Sequence, residues 1–429
     1  MTNLIRKSRT RRLIATAGMM AIVLGAAGCD SLLDAELPGR IPTVLLDDAS
    51  NAAVLGASVV ADFECAFSQY VASASIFSDE YLGASGNASA KQWGTKNIPE
   101  GDPVNERAAC TTVFGAYTPL HTARFQSEDI LARLNGWTNE QAGIDLAPHR
   151  VRTMVLGAYS YTLLGEGFCA MRIDQGTSIL TPAQVLAIAE TKFNAALTAA
   201  TALPGAAGAE LANLARVGRA RVRIRLGNNA GAAADAAAVT AGFEFNVTRS
   251  ADATSRYNDA YWGLTELRHG SVDPAYRNLQ VGGVKDTRVD VRFGPDIGML
   301  PTAFDGVTPL YVVNNKNLSR AAPMRLASYI EAQLIRAEAL GGQQAADIVN
   351  ARRTQLSLPT YTGGVDEASI RALIISERNR EFFMEGGHRF NDLIRFNIAW
   401  KTGNDQIGAP YGPWRCFPLP TSERIAAGG

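Results

Sequence analysis

The sequence predicts a mostly α-helical protein, a scaffold of helical hairpins interrupted by one irregular insertion of loops and short strands. Three observations predict it. Apolar residues recur at helical spacing from residue 52 onward and again from residue 324. Ala-rich helical segments in the middle of the chain follow one another across short turns. Between about 242 and 318 that spacing breaks into short alternating runs separated by Gly, Asp and Asn.

The chain opens on Arg6, Lys7, Arg9, Arg11 and Arg12, followed by an uncharged apolar run over 13–27 that is too short to span a bilayer. Small residues then precede a cysteine, Ala26-Ala27-Gly28-Cys29. This pattern predicts a lipoprotein signal peptide over 1–28, with Cys29 acylated and first in the mature chain. Such a lipid anchors a domain without crossing the membrane. Removing 1–28 takes away five basic and no acidic residues, leaving 36 Lys+Arg against 41 Asp+Glu. A net negative chain argues against nucleic acid as a partner. No low-complexity linker divides the remainder, so 29–429 is expected to be one domain with an insertion at about 242–318.

With Cys29 given to lipid, Cys65, Cys110, Cys169 and Cys416 remain, an even number in an exported chain, which predicts two disulfides. Three connectivities are open. In one of them Cys65 pairs with Cys110, both in early helices, and Cys169 with Cys416 ties the middle to the C-terminus. No C-x-x-C or Cys/His cluster points to a metal.

In chain order, 52–70 reads as a helix, ending in a Ser/Ala-rich stretch with Asp79-Glu80-Tyr81. Residues 83–103, rich in Gly, Ser and Asn, read as a loop carrying Trp93. Because exposed loops on rigid scaffolds hold ligand contacts, Trp93 is a candidate stacking platform, with a Trp packed beneath the loop as the alternative. A long helix is expected over 105–134. The next, over 150–164, carries Gly157, Ala158 and Ser160 on one side, which suits close helix packing. Thr181-Pro182 gives an N-cap and a proline in the first turn of another helix, and 210–226 and 228–239 follow. Ala-rich helix pairs of this size are the pattern of tetratricopeptide-like hairpins.

In the insertion, 243–247, 289–293 and 311–314 read as short strands. Tyr261 and Trp262 form its densest aromatic pair. They read first as the insertion's own small core, and otherwise as a face for a sugar ring or a peptide side chain. Helical spacing returns over 324–340 and 345–358.

Over 369–384 one helix places Leu373, Glu377, Glu381 and Glu385 in a row beside the mostly apolar row of Ile370, Ile374, Arg378 and Phe382. Acids so placed need partners, and Arg378, Arg380, Arg389 and Arg395 are the neighbouring supply. Gly386-Gly387 ends the helix, and His388 to Phe396 resumes with apolar and charged residues interleaved. The segment reads as a hinge locked by Arg–carboxylate pairs. A glycosidase pair is a poorer reading of Glu377 and Glu381, because two acids on one helix approach from the same side and arginines lower both.

The stretch E-R-N-R-E-F-F-M-E-G-G-H-R-F-N-D-L-I-R-F resembles the C-terminal signature of SusD/RagB-type nutrient-uptake lipoproteins. Glu377, Arg378, Glu381, Glu385, Gly386, His388, Arg389, Asp392, Leu393 and Arg395 fill that pattern, and Gly387 is an extra glycine in its turn. The segment after Cys29, the L-I-R-A-E-A run of 334–339, Asn350 with Arg353, and the closing F-P-L-P-T-S-E are similar to the same family. The middle, 243–317, shows no such likeness. The resemblance implies an outer-membrane surface lipoprotein that binds oligosaccharides or peptides and caps a SusC-like TonB-dependent transporter. It implies no cofactor and no catalysis.

No G-x-S-x-G, Walker loop, H-E-x-x-H or dinucleotide fingerprint occurs, and His121, His149, His269 and His388 lie far apart. The candidate ligand contacts are therefore Asp79, Glu80, Trp93, Tyr261 and Trp262. The alternative function is a helical-repeat scaffold at the envelope that binds no small ligand. A surface hydrolase would have to use Asp79, Glu80 or Asp259.

Overall fold

The computed structural model describes residues 43–99, 101–174 and 178–425; Cys29 lies outside them. Residues 43–48 belong to a first unit, in which Thr43–Leu46 is a short helix. The second unit runs from Ala49 onward.

Helix α1 (Ala52–Phe77) is buried on every side from Phe63 to Phe77. A helix without a polar face belongs in the middle of a core. Around it and along the chain come α2 (Ala88–Thr95), α3 (Tyr117–Gly136), α4 (Ala147–Gly167), α5 (Pro182–Ala202), α6 (Gly205–Arg225) and α7 (Asn229–Ala237). After the insertion follow α8 (Tyr329–Leu340), α9 (Gly342–Gln355), α10 (Glu367–Glu381) and α11 (His388–Arg395). From α3 to α6, and again through α8 and α9, each helix packs on the next. This is the hairpin scaffold that the Ala-rich pairs predict.

The small residues of α4 act as expected. A Cβ on Gly157 would stand 2.5 Å from the Ser127 hydroxyl of α3, and one on Gly165 would stand 2.8 Å from Leu186 of α5. Thr181 caps α5 and exchanges hydrogen bonds with Gln184, with Pro182 in the first turn.

The strands are β1 (Tyr81–Gly83), β2 (Glu244–Val247), β3 (Gly270–Val272), β4 (Gln280–Val281), β5 (Val284–Lys285), β6 (Val291–Phe293), β7 (Tyr311–Val313) and β8 (Met324–Ser328). They pair antiparallel as β1–β3, β2–β8, β4–β5 and β6–β7. The β2–β8 ladder closes the insertion at its base, with a bulge between Phe245 and Asn246.

Several boundaries differ from the sequence reading. The 83–103 loop contains α2, whose first turn is capped by the Asn87 side chain accepting from the Ala90 amide. The helix expected over 105–134 is two, Pro103–Arg107 and α3, separated by a turn that holds Cys110. Gly115 makes that break necessary: its φ is +93° and a Cβ would meet the Val104 carbonyl oxygen at 2.1 Å. Residues 324–328 are strand β8 rather than helix because β2 supplies a ladder, and Ser328 then caps α8.

The disulfides are Cys65–Cys110 and Cys169–Cys416, with Cα atoms 5.6 and 5.1 Å apart. Beside the second, Phe417 and Phe168 pair as a short parallel bridge. The Phe417 ring sits 4.9 Å from Trp93, 5.2 Å from Phe77 and 4.6 Å from Phe390. The closing segment is thus a plug in the main core.

Because Cys169–Cys416 closes a loop over a separation of 247 residues, the double variant Cys169→Ser, Cys416→Ser is expected to lose about 2–5 kcal/mol of unfolding free energy. Denaturant titration beside the parent protein measures it.

Candidate functional site

Helix α10 ends at Glu381, earlier than its sequence suggests. Met384 then takes a left-handed φ of +57°, followed by Gly386 at +52° and Gly387 at +68°. A Cβ on Gly387 would lie 2.5 Å from the Tyr70 ring of α1, so the extra glycine is what lets the corner reach the central helix.

The acids on this corner are buried and paired, with partners drawn mostly from elsewhere in the chain. Glu377 Oε1 accepts from Arg353 Nε and Nη2 at 3.0 and 2.6 Å, and its Oε2 accepts from Arg288 Nη1 at 2.7 Å. Glu381 is held by Arg352 through two bonds of 3.1 and 2.6 Å. Glu385 faces Lys316 at 2.7 Å and Arg325 at 3.2 Å. Only Asp392 takes sequence neighbours, Arg378 and Arg395, at 2.8 Å each. Arg380 instead approaches Asp286, and Arg389 faces Glu80. Burial acts to raise Glu381, but Arg352, Arg288 and Lys316 outweigh it and hold the carboxyl below its ordinary value. Removing one partner of such a pair strands a buried charge, at a cost of about 3–5 kcal/mol. Carboxylates bound in this way have no open face for acid–base chemistry.

One edge of this lock opens to the surface. Met384 and Glu385, Asn246 and Glu244 of β2, Arg325 of β8, and the insertion run of Asn315, Lys316 and Asn317 line a cavity of about 300 Å³. Its charges balance, since Lys316 and Arg325 answer Glu385, and Arg325 reaches Glu244 at 3.1 Å. Three side-chain amides complete a wall of paired donors and acceptors.

The loop forming that wall is shared with an aromatic cluster. Asn258 Nδ2 donates to Asn317 Oδ1 at 2.8 Å and to the Ala322 carbonyl at 2.9 Å, and the Asn258 amide donates to the Arg320 carbonyl at 2.8 Å. Next to Asn258, the Tyr257 ring meets Trp262 edge-on at 5.3 Å, while the Arg320 guanidinium lies 4.6 Å from the Tyr257 centroid. Tyr261 and Trp262 are both half-buried, on a single π-helical turn, Ala260–Glu266.

Scanned against models of protein families the sequence matches none, and a search of curated proteins finds no relative. Solved structures do match. A SusD-like carbohydrate binding protein from Bacteroides vulgatus superposes with a TM-score of 0.66 at 12% identity, over 89% of this chain and 97% of that one. The chain has the SusD-like fold. Surface glycan-binding protein A from Bacteroides uniformis aligns with a TM-score of 0.60 at 14% identity, over 87% and 97% of the two chains. A laminarin binding SusD-like protein aligns at 0.53 and 16%, over 81% and 91%.

On this SusD-like frame the candidates from sequence separate. Trp93 has no exposed surface: it lies under its loop against Phe77 and Phe417 and offers no face to a ligand. Asp79 is taken by the ammonium of Lys96 at 2.6 Å, a lysine whose side chain is fully buried and whose pKa burial lowers. Glu80 is buried beneath the corner. Tyr261 and Trp262 stay half-exposed and unconsumed by the core, on the segment whose Asn258 holds Asn317 of a polar cavity that the sequence reading did not single out. Its one legible trace was the amide-dense run Asn314-Asn315-Lys316-Asn317.

Asp259, behind the aromatic pair, is 2% exposed, and its Oδ1 has no hydrogen-bond partner among the described residues. Burial pushes its pKa up to about 8, against Ser68 and Arg249. The folded state therefore keeps a proton that the unfolded chain releases near pH 4, so this group's contribution to stability is lost as pH rises from about 4 through 8. Asp259→Asn is expected to raise stability at pH 8.5 by on the order of 1–3 kcal/mol and to leave it unchanged near pH 4. Thermal unfolding of both proteins across that range is the check.

Proposed function

We propose that the chain is a surface lipoprotein that captures a neutral oligosaccharide and passes it to a TonB-dependent transporter of the SusC type. The observation that carries the reading is the amide-lined, charge-balanced cavity whose Asn317 is hydrogen-bonded to Asn258, the residue next to Tyr257 of the Tyr257–Trp262 pair. Vicinal hydroxyls need donors and acceptors side by side, and the apolar face of a sugar ring stacks on an aromatic one. A cavity whose Lys and Arg are already answered by Glu holds no spare charge for a charged ligand. The solved SusD-like proteins whose names record carbohydrate, glycan or laminarin binding support the same class. Binding is passive, the energy of import comes from the transporter's machinery, and Cys29 supplies the outer-membrane anchor.

The second reading, an interaction scaffold without a small ligand, draws on Ile297, Leu300, Phe304 and Val307, which stand 40–68% exposed in one stretch of the insertion.

Calorimetric titration with laminarin and other neutral glucans separates the two. Binding by the parent protein, weakened roughly three- to tenfold in Trp262→Ala and further in Asn246→Ala, is the expected result. No binding to any glycan, with both variants folded, would favour the scaffold. For the partner, the lipidated protein is recovered from detergent-solubilised outer membrane through a C-terminal tag. A large β-barrel protein is expected with it at near one-to-one ratio; recovery alone, or absence from that membrane, contradicts delivery to a transporter.

A further inference from the structure

Glu80 lies directly behind one wall of the polar cavity, and no part of the ligand reading uses it. Its side chain is 2% exposed, and its Oε1 accepts a hydrogen bond from the Met384 amide at 3.0 Å. The adjacent Tyr81 hydroxyl contacts Met384 Sδ at 3.1 Å. Met384 and Glu385 line the cavity, and Glu385 in turn holds Lys316 and Arg325. Met384 is a non-glycine residue in left-handed backbone, a conformation disfavoured by about 1–2 kcal/mol. Its amide direction is therefore maintained by a partner, and Glu80 is that partner.

The groups around Glu80 come from every element packed on it: Ser75 of α1, Tyr81 of β1, Tyr276 and Lys316 of the insertion, and Arg389 of α11. Burial pushes its pKa from 4.5 to about 7, against the Met384 amide, Ser75, Arg389 and Lys316. Both protonation states are thus populated close to neutrality.

We propose that Glu80 is a positioning residue for the cavity: as a carboxylate it pins the Met384 amide and with it the wall carrying Glu385, and on protonation it releases that wall. The tie to ligand binding rests on the cavity being the glycan site; the pin itself does not. An ionised acceptor holds an amide more tightly than a neutral carboxyl does, so the wall is firmest above pH 8 and loosest below pH 6. Global stability runs the other way. With the folded pKa raised, Glu80's contribution to stability is present below about 4.5 and lost as pH rises through about 7. A purely structural Glu80 would loosen the corner at high pH, and a positioning Glu80 loosens it at low pH.

Hydrogen exchange of the segment 382–387, corrected for the intrinsic pH dependence of exchange, decides between them in the full-length protein and in Glu80→Gln. Protection in the parent protein is expected to rise roughly three- to tenfold from pH 6 to pH 8, a coupling of up to about one pKa unit, and to stay level in the variant. Level or falling protection in the parent protein overturns the proposal, as does an unchanged slope in Glu80→Gln. Laminarin affinity over the same range is expected to rise in step in the parent protein alone. An affinity independent of pH while the exchange slope is present would refute the link to the cavity. Laminarin bound by neither protein contradicts the ligand reading, and the exchange slope still decides the role of Glu80.

Discussion

Burial of the acids on α10 and at its corner is the constraint on which the rest of the structure depends. A carboxylate removed from water must find charged donors, and Glu377, Glu381 and Glu385 find them on three different parts of the chain. Arg353 and Arg352 come from α9, Arg288 and Lys316 from the insertion, and Arg325 from β8. Each pair fixes one segment against the same helix end. The insertion has only two-stranded ladders of its own, and such ladders are marginal alone. Its attachment through Arg288 and Lys316 is therefore what gives the cavity a fixed wall.

The second half of the corner extends the same logic into the scaffold. Asp392 joins Arg378 and Arg395, and Arg395 continues to Glu338 of α8 at 2.8 Å. Arg221 of α6 donates to the Gly386 carbonyl at 2.7 Å and to Glu166 of α4 at 2.9 Å. His388, enclosed by burial and by Arg221, Arg378 and Arg395, is held far below its ordinary pKa and stays neutral. Charge and aromatic packing thus meet at one place. Phe390, two residues beyond His388, stacks on Phe417, and the closing segment is tied to Cys169.

Function on this frame belongs to what the lock leaves open. Most candidate contacts proposed from sequence are consumed by the core: Trp93 by the aromatic plug, Asp79 by Lys96, Glu80 by the Met384 amide. The surface that remains is a cavity of amides and balanced charges, and the half-buried Tyr257–Trp262 pair sits next to the Asn258 that holds its Asn317.

The local terms were legible without coordinates. Helical spacing in 52–70 and 150–164 and the cap at Thr181 are written in neighbouring residues, because capping and amphipathic burial act over a few positions. The even set of four cysteines required two bridges, though not their partners. Only the tertiary structure decided which arginines serve Glu377 and Glu381, that Trp93 faces inward, that 324–328 is a strand, and that Asn246, Asn317 and Glu385 converge on one cavity. Those outcomes depend on groups tens or hundreds of residues apart. Pairing and exclusion of water are settled where segments meet in space, and spacing along one chain carries no record of that meeting.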